Sequence, residues 1–143
     1  MNVGREEIAR LIPHQGSMCL LDAVQSWTDA AIECTTATHR AAGHPLRTGG
    51  QLAAVHLVEY GAQAMAVHGG LLARAAGSVA PPGMLVSVRD IQLNVARIDD
   101  IVADLTVRAK KLVANPDGWL YFFEVDAGAT RLASGRVSVI NPR

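Results

Sequence analysis

The sequence predicts an α+β domain in which one long helix packs on an antiparallel sheet. Three observations carry this. The segment Gln51 to Leu72 is rich in Ala, Val and Leu, lacks proline and is too long for one strand. Four stretches after Gly83 have strand character, one of them with period-two alternation. Two shorter strand-like stretches precede the helix, the second rich in β-branched residues.

In chain order, Arg5 to Leu11 forms a short amphipathic helix with Ile8 and Leu11 on one side, closed by Pro13. Met18 to Trp27 and Ala31 to Thr38 are strands, and the short Thr28 to Ala30 link makes them a hairpin. A loop from His39 to Gly50, with one proline and three glycines, leads into the helix. Ala73 to Pro82 is a connection of small residues ending in a double proline. Strands follow at Met84 to Leu93, Ile101 to Ala114, Gly118 to Ala127 and Thr130 to Ile140. Along the second of these, Ile101, Ala103, Leu105, Val107 and Ala109 share one face, and Asp104, Thr106, Arg108 and Lys110 the other. Asn115 to Gly118 is a strong turn signal and Gly128 marks a weaker one, so the last three strands form a meander.

A chain of 143 residues is a single domain, 1–143, able to bury a core without metal or disulfide staples. Basic and acidic residues balance at 13 each and form no basic block, which argues against nucleic-acid or anionic-membrane partners. Cys19 and Cys34 lie in apolar stretches without metal or redox spacing and are expected to be buried free thiols. No metal site is expected. The N-terminal residues lack a signal-like apolar run and no later run reaches transmembrane length, so a cytoplasmic location is expected.

On a wheel of about 100° per residue, His56, Glu59, Tyr60 and Gln63 fall in one polar stripe of an otherwise apolar helix. A lone carboxylate in apolar surroundings is costly unless it is protonated or paired. Glu59 is therefore the first candidate for chemistry, although a structural ion pair gives the same pattern. His14, His56 and His68 are expected to be satisfied or exposed histidines. Arg40 and Arg47 are candidate phosphate contacts, with solvated loop arginines the commoner case.

The stretch IPHQGSMCLLDAV, Ile12 to Val24, resembles the opening of the FabA/FabZ type of 3-hydroxyacyl-acyl carrier protein dehydratases, and Glu59 to Gln63, EYGAQ, resembles the central-helix motif of that family. The sequences HPLR and VEYGAQAMAVHG are more similar to a FabZ-like subfamily from aryl polyene-type gene clusters. The resemblance implies a hotdog fold, an antiparallel curled sheet wrapped around one long central helix. It also implies a dehydratase that removes water from 3-hydroxyacyl thioesters, with Glu59 as the acid and a loop histidine as the base. His39 follows the second strand directly and is the preferred base; His44 is the alternative. Ala53 and Ala54 stand where the family has Pro-Gly.

A neutral imidazole titrates near physiological pH and suits the base, and a protonated carboxyl, the state that apolar surroundings favour, suits the acid. Backbone N–H groups around the helix start, Gly50 to Ala54, are candidate donors to the thioester oxygen, and Gln63 a candidate to orient Glu59. No cofactor is expected beyond the phosphopantetheine of a carrier protein. By the same resemblance the partners are an acyl carrier protein and a second hotdog subunit, giving a homodimer or a heterodimer with a related dehydratase. Two other functions compete: a hotdog acyl thioesterase, and a non-catalytic subunit that completes the site of a partner dehydratase.

Overall fold

The computed structural model describes residues 3–12, 16–78 and 84–140; His14 and the double proline lie outside them. Strand β1 (Val3–Gly4) leads into helix α1 (Arg5–Leu11), followed by β2 (Ala23–Trp27) and β3 (Ala31–Thr36). A 3-10 turn, Ala54–His56, opens the long helix α2 (Leu57–Ala75). Then come β4 (Met84–Leu93), β5 (Leu105–Asn115), β6 (Gly118–Ala127) and β7 (Thr130–Ile140). All pairings are antiparallel, and the seven strands run β1-β2-β3-β5-β6-β7-β4. With α2 against one face, this is the hotdog arrangement.

The core lies between α2 and the sheet. Leu57, Tyr60, Ala64, Val67 and Leu71 of the helix are buried together with Val107, Tyr121, Phe123 and Val125 of the strands. The helix comes so close that a Cβ on Gly61 would sit 2.5 Å from the Phe123 ring. Glycine is required there by contact rather than by backbone conformation. On the opposite face, Arg108 pairs with Glu33 and Asp126, and Arg131 pairs with Asp126 and Glu124, so the outer sheet surface carries an ion-pair ladder.

The helix runs on past Leu72 to Ala75 and the strand past Ala114 to Asn115, and four other boundaries also differ from those the sequence predicts. The strand expected from Met18 begins at Ala23, because the Met18 carbonyl and Leu20 N–H bond the Gln63 side chain instead of a neighbouring strand. The strand expected to Thr38 ends at Thr36, where a 3-10 turn, Thr38–Arg40, begins. The strand expected from Ile101 begins at Leu105, because the Ile101 and Val102 carbonyls accept from His39 and Arg40. The helix expected from Gln51 begins at Leu57, because Ala54 N–H donates to the Ala96 carbonyl, Ile98 N–H to the Leu52 carbonyl, and Leu52 N–H to Asp99. Strand β1 adds a short edge that the sequence pattern did not show. Both cysteines are free and buried, and burial pushes the Cys34 thiol up to about 12.

Candidate active site

His39 sits in the turn that follows β3, its ring fully buried. Its Nε2 lies 2.9 Å from the Ile101 carbonyl. A carbonyl can only accept, so Nε2 carries the proton and Nδ1 carries the lone pair. Among the described residues, Nδ1 has no hydrogen-bond partner. Burial, with a smaller contribution from Arg40, holds the imidazole below its ordinary pKa, although the Ile101 carbonyl works the other way. His39 is therefore a neutral ring of fixed tautomer whose basic nitrogen is buried and, among the described residues, unpaired.

His44 is also buried but has no such nitrogen. Leu46 N–H donates to its Nδ1 at 3.1 Å, so the proton is on Nε2, 3.0 Å from the Tyr60 hydroxyl. Burial first, and Arg47 next, hold it below its ordinary pKa. The Tyr60 hydroxyl lies 2.9 Å from Thr38 Oγ1, which itself donates to the Leu20 carbonyl at 2.7 Å. The order of donation is set throughout: Leu46 N–H to His44, His44 to Tyr60, Tyr60 to Thr38, Thr38 to Leu20. Burial pushes the Tyr60 phenol up to about 12, so its proton stays in place.

Glu59 is half-buried on the first turn of α2, and the buried Gln63 lies one turn on. The Gln63 amide is fully committed: Oε1 accepts Leu20 N–H at 2.9 Å, and Nε2 donates to the Met18 carbonyl at 2.7 Å and to Glu59 Oε1 at 3.2 Å. The motif stretch ending at Val24 thus serves as a brace. Its Leu20 touches both Gln63 and Thr38, and its Asp22 accepts Ala37 N–H at 2.7 Å while pairing with Arg5.

The helix start differs from expectation. Ala54 N–H is bonded to the Ala96 carbonyl and is not open to a thioester oxygen in this arrangement. Gly50 lies in an exposed turn, and its carbonyl accepts from Arg47 at 2.7 Å. A pocket of about 190 Å³ opens here, lined by Leu46, Thr48, Gln51, Ala53, His56, Ala96 and Arg97. Arg97 pairs with Asp99, which also holds Leu52 N–H; these bonds keep the Asp99 carboxyl well below the usual carboxylate range.

The other candidates are held by the chain itself. Arg40 bonds the Val102 carbonyl and Asp104, and Arg47 bonds the carbonyls of Ala41, Gly50 and His39. His68 is a fully buried core histidine, its Nδ1 2.6 Å from the Tyr121 hydroxyl and its Nε2 2.7 Å from the Thr28 carbonyl. Among the described residues, no group of three His, Cys, Asp or Glu is placed to hold a metal ion, and no described helix is long and apolar enough to cross a membrane. Sequence reasoning did not single out Thr38, Leu20 or Asp99. Thr38 had a signal in its position beside His39, but a backbone acceptor such as the Leu20 carbonyl and a carboxylate brace such as Asp99 leave none in composition.

A curled sheet around a buried helix, with a buried loop histidine and a half-buried helix glutamate, defines a hotdog protein. The chain is similar in fold to the dehydratase heterocomplex ApeI:P from Xenorhabdus doucetiae, with a TM-score of 0.85 and 23% identity over 95% of this chain and 91% of that one. It is also similar to zebra fish thioesterase superfamily member 2, with a TM-score of 0.64 and 13% identity over 98% and 99% of the two chains. No curated protein matches it. Residues 6–143 match the ApeP-like family, described as ApeP dehydratase, and the chain belongs to that family of dehydratases.

Proposed function

We propose that the chain removes water from a 3-hydroxyacyl thioester carried on the phosphopantetheine of an acyl carrier protein, in fatty-acid or aryl polyene-like synthesis. The reading rests on one observation above all, the buried Nδ1 lone pair of His39. His39 Nδ1 takes the proton next to the thioester carbonyl, and the released electron pair forms the new carbon–carbon double bond. The bond to the 3-hydroxyl breaks, and a protonated Glu59 gives that oxygen its proton so that it leaves as water. Gln63 holds the Glu59 carboxyl toward the substrate. Such positioned acid–base groups contribute about 10²–10⁴-fold each.

His39 is fixed by the 101–102 segment and Glu59 by Gln63, so each is presented by its own support. A second hotdog protomer, either another copy or a related dehydratase, would complete the site; the heterocomplex of the Xenorhabdus relative supports the second form. The test incubates this chain, alone and with a related hotdog dehydratase, with a 3-hydroxyacyl thioester on a carrier protein and follows loss of water by mass. His39→Ala and Glu59→Gln should each abolish turnover. Wild-type rates in His39→Ala would refute the base assignment, and release of free acid instead of enoyl product would point to a thioesterase.

A further inference from the structure

The bonds around Tyr60 form a frame that ties the turn carrying His39 to the helix carrying Glu59, within one protomer; the inference rests on the proposed function of those residues. From the loop side, His44 donates to Tyr60 and Tyr60 to Thr38, the residue directly before His39. Thr38 then donates to the Leu20 carbonyl. From the helix side, Leu20 N–H donates to Gln63, and Gln63 donates to Glu59. We propose that Tyr60 is a positioning residue for the dehydration, its hydroxyl clamping both ends of the turn that carries His39 onto the helix that carries Glu59.

The placement explains why a tyrosine stands beside Glu59 on a buried helix. Its ring fills core space as phenylalanine would, and it is fully buried. Its hydroxyl needs a partner when buried, and here it has two, on either side of His39 in sequence. The phenol proton is locked in place by burial, so the Tyr60–Thr38 bond persists throughout the range where His39 titrates. The His39 ring is held by the backbone of the 101–103 segment, with its Nε2 bonded to the Ile101 carbonyl. Its Nδ1 direction depends also on the backbone at Thr38 and on the turn that Tyr60 holds.

The test is Tyr60→Phe, which keeps the ring and removes the hydroxyl. A misplacement of the order of 1 Å costs about 100-fold in rate, so kcat should fall by about 10- to 100-fold while KM changes by less than about threefold. The acidic limb of kcat/KM should move up toward pH 6.5, because a loosened turn gives the His39 ring access to water. His44→Leu should reproduce the loss, and His44→Gln, whose terminal amide can donate to the Tyr60 hydroxyl, should recover part of it. His44→Leu combined with Tyr60→Phe should cost no more than either alone. A wild-type kcat and an unmoved limb in Tyr60→Phe overturn the proposal. So does a loss of rate that only tracks the fraction of folded protein. NMR titration of the His39 ring in wild type and Tyr60→Phe gives a readout that needs no substrate. An unchanged His39 pKa there refutes the clamp, whereas a shifted pKa in a wild-type protein that makes no enoyl product refutes the functional reading and leaves the clamp standing.

Discussion

Replacing Gln63 by leucine cuts the brace where its bonds converge. Leucine has similar bulk and helix propensity, so packing and backbone preference change little. What changes is three hydrogen bonds, to Leu20 N–H, the Met18 carbonyl and Glu59. A buried backbone group left unpaired costs about 1–3 kcal/mol, so orphaning the first two costs about 2–6 kcal/mol. Burying the apolar side chain returns about 1–2 kcal/mol. Glu59 is half-buried and is not left without a partner, so it adds little. At the midpoints of those ranges the expected loss is about 2–3 kcal/mol, read from urea unfolding at pH 7 with an unchanged slope. A loss under about 0.5 kcal/mol would show that the Met18–Leu20 backbone is satisfied without Gln63, and the brace would fall. Gln63→Glu sharpens the test through its sign. The new carboxyl keeps the Leu20 N–H as a donor, but its burial and the two acceptors it faces, the Met18 carbonyl and Glu59, outweigh that one donor, so its folded pKa exceeds the unfolded value of about 4.3. The deficit from that charge is absent below about pH 4 and grows as pH rises.

Other outcomes follow from the same structure. Gly61→Ala places a methyl group 2.5 Å from the fully buried Phe123 ring. Overpacking of about 1–3 kcal/mol outweighs the helix-propensity gain of about 1 kcal/mol, so urea unfolding should show a net loss of up to about 2 kcal/mol; a gain in stability would mean the ring has room to move. Because burial holds His39 below 6.5, the acidic limb of kcat/KM for dehydration should lie below pH 6.5; a limb above that value would exclude His39 as the base. Burial also holds His44 and His68 below 6.5. The unfolded chain then binds more protons than the native one, so stability present above pH 6.5 should be lost as pH falls through the folded values; a flat urea profile from pH 7 to pH 5 would contradict this.

The fold was legible where turn residues bound strand-like stretches. Strands β4, β6 and β7 begin and end where strand-like composition and turn residues place them, and Asn115 confirms its turn by accepting Asp117 and Gly118 N–H groups. Legibility failed wherever a side chain displaces a backbone partner. Leu20, Ile101 and Ala54 all lie in stretches whose composition suits a strand or helix. Their backbone groups, or those of their neighbours, are taken by Gln63, His39, Arg40 and the Ala96 carbonyl. No local pattern encodes that competition, because the competing groups lie 42 to 62 residues away in the chain.

The same limit applies to the choice between histidines. His39 and His44 are five positions apart on one loop, both buried and both held below their ordinary pKa by burial. Residue type, burial and titration do not separate them. Proton placement does: Leu46 and Tyr60 occupy both nitrogens of His44, whereas Ile101 occupies one nitrogen of His39. For His44 to act as a base, Leu46 N–H would have to leave its Nδ1 or the proton bonded to Tyr60 would have to move, and either change breaks a buried bond before chemistry begins. His39 accepts a proton with its Ile101 bond intact, since imidazolium still donates from Nε2 to that carbonyl. Reaction at His39 therefore leaves the frame unchanged, while reaction at His44 dismantles part of it.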